Sequence, residues 1–193
     1  MSGIAKDGPV TMAAQESLPL GVIVERRRID NPWKEHSWRP VAVFTGAAPR
    51  DPAGDWAELR HGADWAQYHA GTLPLELFRR ETQGYRLNLS QEPPRLFVVM
   101  RTGEAADSRH EVVPFLVTAC PHEAQDYLDS GEELVEPVAM PPEVIAFVQA
   151  YVDTYHVDEP FRKRKRKGHR EAGESFARRP RVGRRDDGTD TGR

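Results

Sequence analysis

Only one cysteine, Cys120, occurs in the chain, so no internal disulfide can form. Its setting, FLVTAC, is that of an apolar strand, which predicts a small core residue rather than a reactive thiol. Long apolar runs are also lacking: Leu96 to Met100 is typical, far short of the ~20 residues needed to cross a bilayer as a helix. The opening MSGIAKDGPVTMAAQESLPLG has neither the basic flank nor the apolar stretch of an export signal, and a cytoplasmic location is the expectation. Phosphate-cradling loops are missing as well. Neither GxGxxG nor GxxxxGK[ST] occurs, and no βαβ order is present to support one, so no nucleotide cofactor is expected.

What is present is charge, unevenly divided. Residues 1–158 hold 14 Lys/Arg and 24 Asp/Glu, whereas 159–193 hold 13 and 6. The formal net charge of -3 averages an acidic domain with a basic tail. An acidic domain repels phosphate backbones, so attraction to nucleic acid or to anionic surfaces is expected only from the tail.

Residues 1–19 mix Gly, Pro, Ser and charge without periodicity and read as a flexible leader. Strands follow on alternation or apolar content: GVIVERRRI, with Val22, Val24 and Arg26 sharing a face, then Trp38–Gly46, Trp56–Arg60, Gln67–Ala70, Thr72–Arg80, Tyr85–Gln91, Arg95–Arg101, Val112–Ala119 and 133–138. The first two make a plausible hairpin around Asn31-Pro32. In TLPLELFRR, residues Leu73, Leu75, Leu77 and Arg79 fall on one face, and in YRLNLS so do Tyr85, Leu87 and Leu89. Pro93-Pro94 marks a connection between strands.

Pro121 to Gly131 reads as a short helix, with proline in the first turn and a glycine stop. The clearest helix is PPEVIAFVQAYVDTYH, in which Val144, Phe147, Val148, Tyr151, Val152 and Tyr155 recur at steps of three and four. The expected class is therefore α+β: a mostly antiparallel curled sheet or partly open barrel with a C-terminal capping helix. A pleckstrin-homology-like shape is one instance. One β-rich domain spans 20–158, and 159–193, with abundant charge and no apolar periodicity, reads as a disordered basic tail.

Chemistry-bearing patterns are sparse. The seven histidines form no HExxH, HxH or zinc-spaced cluster, and no metal is expected. His61 and His69, with Asp64 between them, are the set a hairpin would bring together, and a small hydrolase or transferase would use them. Cys120, His122 and Glu123 supply the residue types of a nucleophilic triad, but adjacency in sequence does not create triad geometry.

Two clusters stand out instead. Residues 26–40 pack Trp33, Trp38 and several cations around one Asn-Pro turn. Either the tryptophans close a barrel mouth, or they form a rigid contact surface with Arg28, Lys34 and Arg39 at its rim, since Trp and Arg are enriched where partners dock. The second cluster is the run Arg162, Lys163, Arg164, Lys165, Arg166 and Lys167. Its density of charge suits an acidic protein, nucleic acid or anionic lipid, and it also suits simple solubility.

Taken together, GVIVERRRIDNPWKEHSWRPVAVF, YRLNLSQEPPRLFVVMR and VEPVAMPPEVIAFVQAYVDTYH resemble the proteobacterial domain-of-unknown-function family numbered 3305, over about residues 18–158. The NPW and WRPV portions are its most specific part. That family is similar in setting to accessory proteins encoded near molybdenum-dependent formate dehydrogenase genes. The sparse chemistry points to a non-enzymatic protein, and the resemblance implies a role in assembly, cofactor delivery or complex formation, with a redox-enzyme subunit or maturation chaperone as partner. It also implies peripheral attachment to the inner membrane through such partners. No catalytic or cofactor-binding residue follows from it.

Overall fold

The computed structural model describes residues 16–103, 108 and 110–157. The expected leader, apart from its last four residues, and the basic tail lie outside them. Strand β1 runs Glu16–Arg28, beginning inside the span read as leader, and turns back as β2, His36–Thr45. Leu20, Val22 and Val24 point inward from β1 and are fully buried, as their alternation requires. Strand β3, Ala57–His61, forms a second hairpin with β4, Trp65–Leu77. The two segments expected at 67–70 and 72–80 are thus a single strand that ends at Leu77. Arg79 leaves the face of Leu73, Leu75 and Leu77, because the chain tightens into a 3-10 turn at Arg79–Glu81.

The segment expected as a strand over 85–91 is helical. Helix α1 spans Thr82–Leu89 and buries Thr82, Gly84, Tyr85 and Asn88, while Leu87 is left exposed. Spacing of three between Thr82, Tyr85 and Asn88 selects this face, and the period-two row of Tyr85, Leu87 and Leu89 does not survive. Asn88 supplies the reason. Its Nδ2 donates to the carbonyls of Arg95 and Ala119 (both 2.7 Å), and its Oδ1 accepts from the Arg95 N–H at 3.0 Å. Gly84 allows the close approach, since a Cβ there would stand 2.8 Å from the Cys120 sulfur.

Strands β5, Arg95–Thr102, and β6, Val112–Thr118, precede helix α2, Pro121–Ser130, which stops at Gly131 in the left-handed region (φ 71°). Strand β7, Leu134–Ala139, and helix α3, Pro142–Tyr155, complete the described chain. The sheet order is β2-β1-β4-β6-β5-β7, with β3 paired to β4. All pairings are antiparallel except β4 with β6, which meet in parallel at Leu75 and Val117. The edge strands β2 and β7 approach one another, so the sheet nearly closes into a barrel.

Burial explains why β5 is apolar on both faces. Leu96, Val98 and Met100 join the main core, and Val99 with Phe97 packs under α2 beside Ala124 and Tyr127. The stripe of α3 seats Val144, Val148, Tyr151 and Val152 on the same core, with Phe147 and Tyr155 at its margin. Each such side chain contributes roughly 1.5–3 kcal/mol on burial. Cys120 is part of this core, 2% exposed.

Candidate functional site

The β1–β2 turn is built by short-range bonds. Asn31 Oδ1 accepts from the Trp33 N–H at 2.8 Å, and the Ile29 N–H donates to the Glu35 carbonyl at 3.0 Å. A further bond, from the Arg28 N–H to the Asp64 carbonyl (2.8 Å), ties this turn to the β3–β4 turn. Held at the tip of a fixed hairpin, the Trp33 side chain has nothing to bury it and is 90% exposed. Arg28 and Lys34 are exposed on the same turn.

Trp38 and Arg39 do not share that tip. As successive strand residues they point to opposite faces. Trp38 turns inward to the barrel mouth, where it meets Trp56 edge-on at 5.7 Å and Tyr68 at 6.2 Å, and its Nε1 donates to Glu111 at 3.0 Å. The Arg26 guanidinium lies 5.9 Å from the Trp38 ring and 5.8 Å from that of Tyr68. Trp56 also stacks on His110 at 4.1 Å, and the His110 Nε2–H donates to the Gly54 carbonyl at 2.8 Å. A cavity of about 800 Å3 opens at this mouth, lined among others by Lys34, His36, Trp38, Arg101, His110 and Glu111. Trp38 thus helps to close the barrel mouth, and Trp33 stands apart from it in solvent.

Arg39 lies on the outer face of the sheet, where its Nη2 donates to Glu25 Oε1 at 3.1 Å. Arg27 donates to the same oxygen through Nε and Nη2, both at 3.1 Å, and Gln67 Nε2 donates to Glu25 Oε2 at 2.8 Å. Burial pushes the Glu25 carboxyl up, but the bonds from Gln67, Arg27 and Arg39 outweigh it and hold the group below its ordinary range. A charged residue in a run of arginines reads in sequence as a solvated face. The signal that finds it is the pair Glu25 and Arg27 at spacing two, facing Arg39 across the hairpin register.

His61, Asp64 and His69 are not brought together. His61 is opposite Ala66 and His69 opposite Ala57, so the two stand three residues apart along β4, roughly 10 Å. His61 turns outward to Glu58 at 2.7 Å, whereas His69 is buried against the Phe44 ring at 5.1 Å and Thr72 Oγ1 at 3.3 Å. Burial and then the nearby Arg50 push the His69 imidazole down, keeping it neutral. At 120–123, burial pushes the Cys120 thiol up and outweighs the N–H groups of Glu123 and His122 that reach it, which disfavours the thiolate.

Among the described residues, no group of three or more His, Cys, Asp or Glu side chains is placed to hold a metal ion. No described helix is long and apolar enough to cross a membrane. The basic run 162–167 lies outside the described residues.

With this geometry in hand, comparison with protein-family models gives a match over residues 19–165 to the family described as protein of unknown function (DUF3305). The chain belongs to that family. The match runs from residue 19 within β1 through α3 of this DUF3305 protein, and takes in the hairpin tip, the barrel mouth and the Glu25 cluster. No curated protein and no solved structure matches the chain.

Proposed function

We propose that this DUF3305 protein is a non-catalytic accessory or assembly protein that works by protein–protein contact through the tip of its β1–β2 hairpin. The observation that carries this is Trp33, 90% exposed on a turn braced by its own hydrogen bonds. A rigid, solvent-facing indole flanked by Arg28 and Lys34 has the composition of a docking hot spot, and its rigidity lowers the ordering cost of binding. The partner is a subunit of a redox complex or its maturation chaperone, and the resemblance noted above favours a molybdenum-dependent formate dehydrogenase. Location is then cytoplasmic, with any attachment to the inner membrane made through that partner.

The test is affinity capture of the tagged full chain from its native cytoplasm, beside Trp33→Ala and Trp38→Ala. Recovery of a molybdenum-enzyme subunit or its chaperone, lost in Trp33→Ala at unchanged thermal midpoint, is the expected result. Recovery of the same protein at the same level by Trp33→Ala would remove the tip from the interface.

A further inference from the structure

On the outer face of the β2-β1-β4-β3 region, one transverse row reads Arg39, Glu25, Gln67 and Arg60, each opposite the next in the strand register. A second row sets Ser37, Arg27 and Trp65 side by side. The rows are bonded into one unit. Glu25 accepts from Arg27, Arg39 and Gln67, and Gln67 Oε1 accepts in turn from Arg60 Nε at 2.8 Å. Arg60 also lies over the Trp65 ring at 5.8 Å.

The single carboxylate at the centre is 4% exposed, while the side chains of Arg27 and Arg39 are 50% and 58% exposed. Glu25 thus acts from below as an anchor, and the guanidinium edges not used on it face solvent. A guanidinium carries five N–H donors. The bonds named here take two from Arg27 and one each from Arg39 and Arg60. Among the described residues of these two rows, three cations against one buried carboxylate leave a surplus of positive charge, although residues 1–158 as a whole are acidic.

The geometry points to an acidic peptide-binding face: Arg39, Arg27 and Arg60, held in place by Glu25 and Gln67, take the carboxylates of an extended acidic segment of a partner protein, with Trp65 as apolar ground beside them. Charge complementarity selects the occupant, and preset guanidinium forks favour carboxylates, which they bind in a planar, two-point manner. Spacing fits too. Arg39 on β2 and Arg60 on β3 are three strand separations apart, about 14 Å, close to the roughly 13 Å between residues i and i+4 of an extended chain, whose side chains share one face. The face goes beyond the hairpin-tip contact and shares with that expected site only Arg39.

The deciding experiment titrates full-length protein with a fluorescent peptide carrying glutamates at three alternate positions, against the same peptide with glutamines, at fixed low salt. Arg39→Gln/Arg60→Gln is expected to weaken binding at least about tenfold. Arg27→Lys/Arg39→Lys/Arg60→Lys, which keeps charge but loses the forks, is expected to fall between it and the unaltered protein. Replacing the six cations of 162–167 by glutamine should leave most of the binding in place. Equal affinity in the Arg39→Gln/Arg60→Gln protein, or loss of binding only when 162–167 are neutralised, overturns the assignment. So does duplex DNA or an anionic vesicle competing as well as the acidic peptide for the face, which would make it a reader of charge alone. Thermal midpoints identify any variant that fails to fold, and the lysine set then decides. Because Trp33 is intact throughout, failure here leaves the hairpin-tip contact standing, and failure of capture through Trp33 leaves this face standing.

Discussion

The end of the barrel beneath α1 and α3 and the end bearing the β1–β2 tip are made from the same strands, yet they treat polar groups in opposite ways. Under the helices, the buried polar side chains of Tyr85 and Asn88 are matched inside the protein: the Tyr85 hydroxyl donates to Glu81 at 2.8 Å and accepts from the Phe78 N–H at 3.1 Å, and Asn88 satisfies three backbone groups. Tyr85 and Tyr151, 0% and 1% exposed, fill the space between. At the other end Trp33 is left in water, a cavity stays open, and on the adjoining outer face arginine donors outnumber the one carboxylate that holds them. Satisfied groups make a floor, and the groups left over face water.

If that division is right, substitutions under the helices act on stability and those at the tip act on binding. The largest loss is expected from Tyr85→Ala, about 3–5 kcal/mol in urea unfolding, because it combines a large cavity with two stranded hydrogen-bonding groups. Asn88→Ala follows at roughly 2–3 kcal/mol, since it strands buried backbone groups without creating much space. Glu25→Ala should cost about 1–2 kcal/mol, reduced because Arg27 and Arg39 can be rehydrated.

Acid sharpens the same contrast. His69 is held neutral, so stability falls as pH drops below its ordinary value near 6.5, where the unfolded chain takes up the proton first. Glu25 is held ionised, so its contribution is complete above its ordinary value near 4.5 and is lost as pH falls further. Stability followed from pH 7 downward should therefore decline in two stages, and His69→Gln should remove the upper one. The smallest effect on stability belongs to Trp33→Ala, within about 0.5 kcal/mol. A larger loss would mean that Trp33 packs on something, and the two ends would no longer differ in kind.

Much of the sheet was legible because its strands obey a simple rule: Leu73, Leu75 and Leu77 alternate with exposed Pro74 and Glu76 and line the core. Helix α3 was legible for the same reason at its own period. Helix α1 was not, because its buried face is Thr82, Gly84, Tyr85 and Asn88, and three of these four are small or polar. What fixes it is a set of side-chain bonds to residues 7 and 31 positions away, which no local pattern encodes. The candidate surfaces divide similarly. Trp33 was visible as an aromatic in a turn, and Arg26 was correctly placed on the face of Val22 and Val24. Glu25 was hidden, because its burial comes from Gln67 and Arg39 arriving from two other strands.

One feature of the sheet reaches beyond binding. Strands β4 and β6 meet at a single residue pair, Leu75 with Val117, whereas β1–β4 and β5–β6 share long ladders. The hydrogen-bonded network is therefore one sheet with two broad wings, joined by a narrow seam and a common core. Under native-state hydrogen exchange the backbone amides should sort into two cooperative blocks, β1-β2-β3-β4 opening as one and β5-β6-β7 as the other, each with its own opening free energy. The wing that carries the tip and the arginine face can then loosen, or be tightened by a bound partner, while β5 keeps its protection.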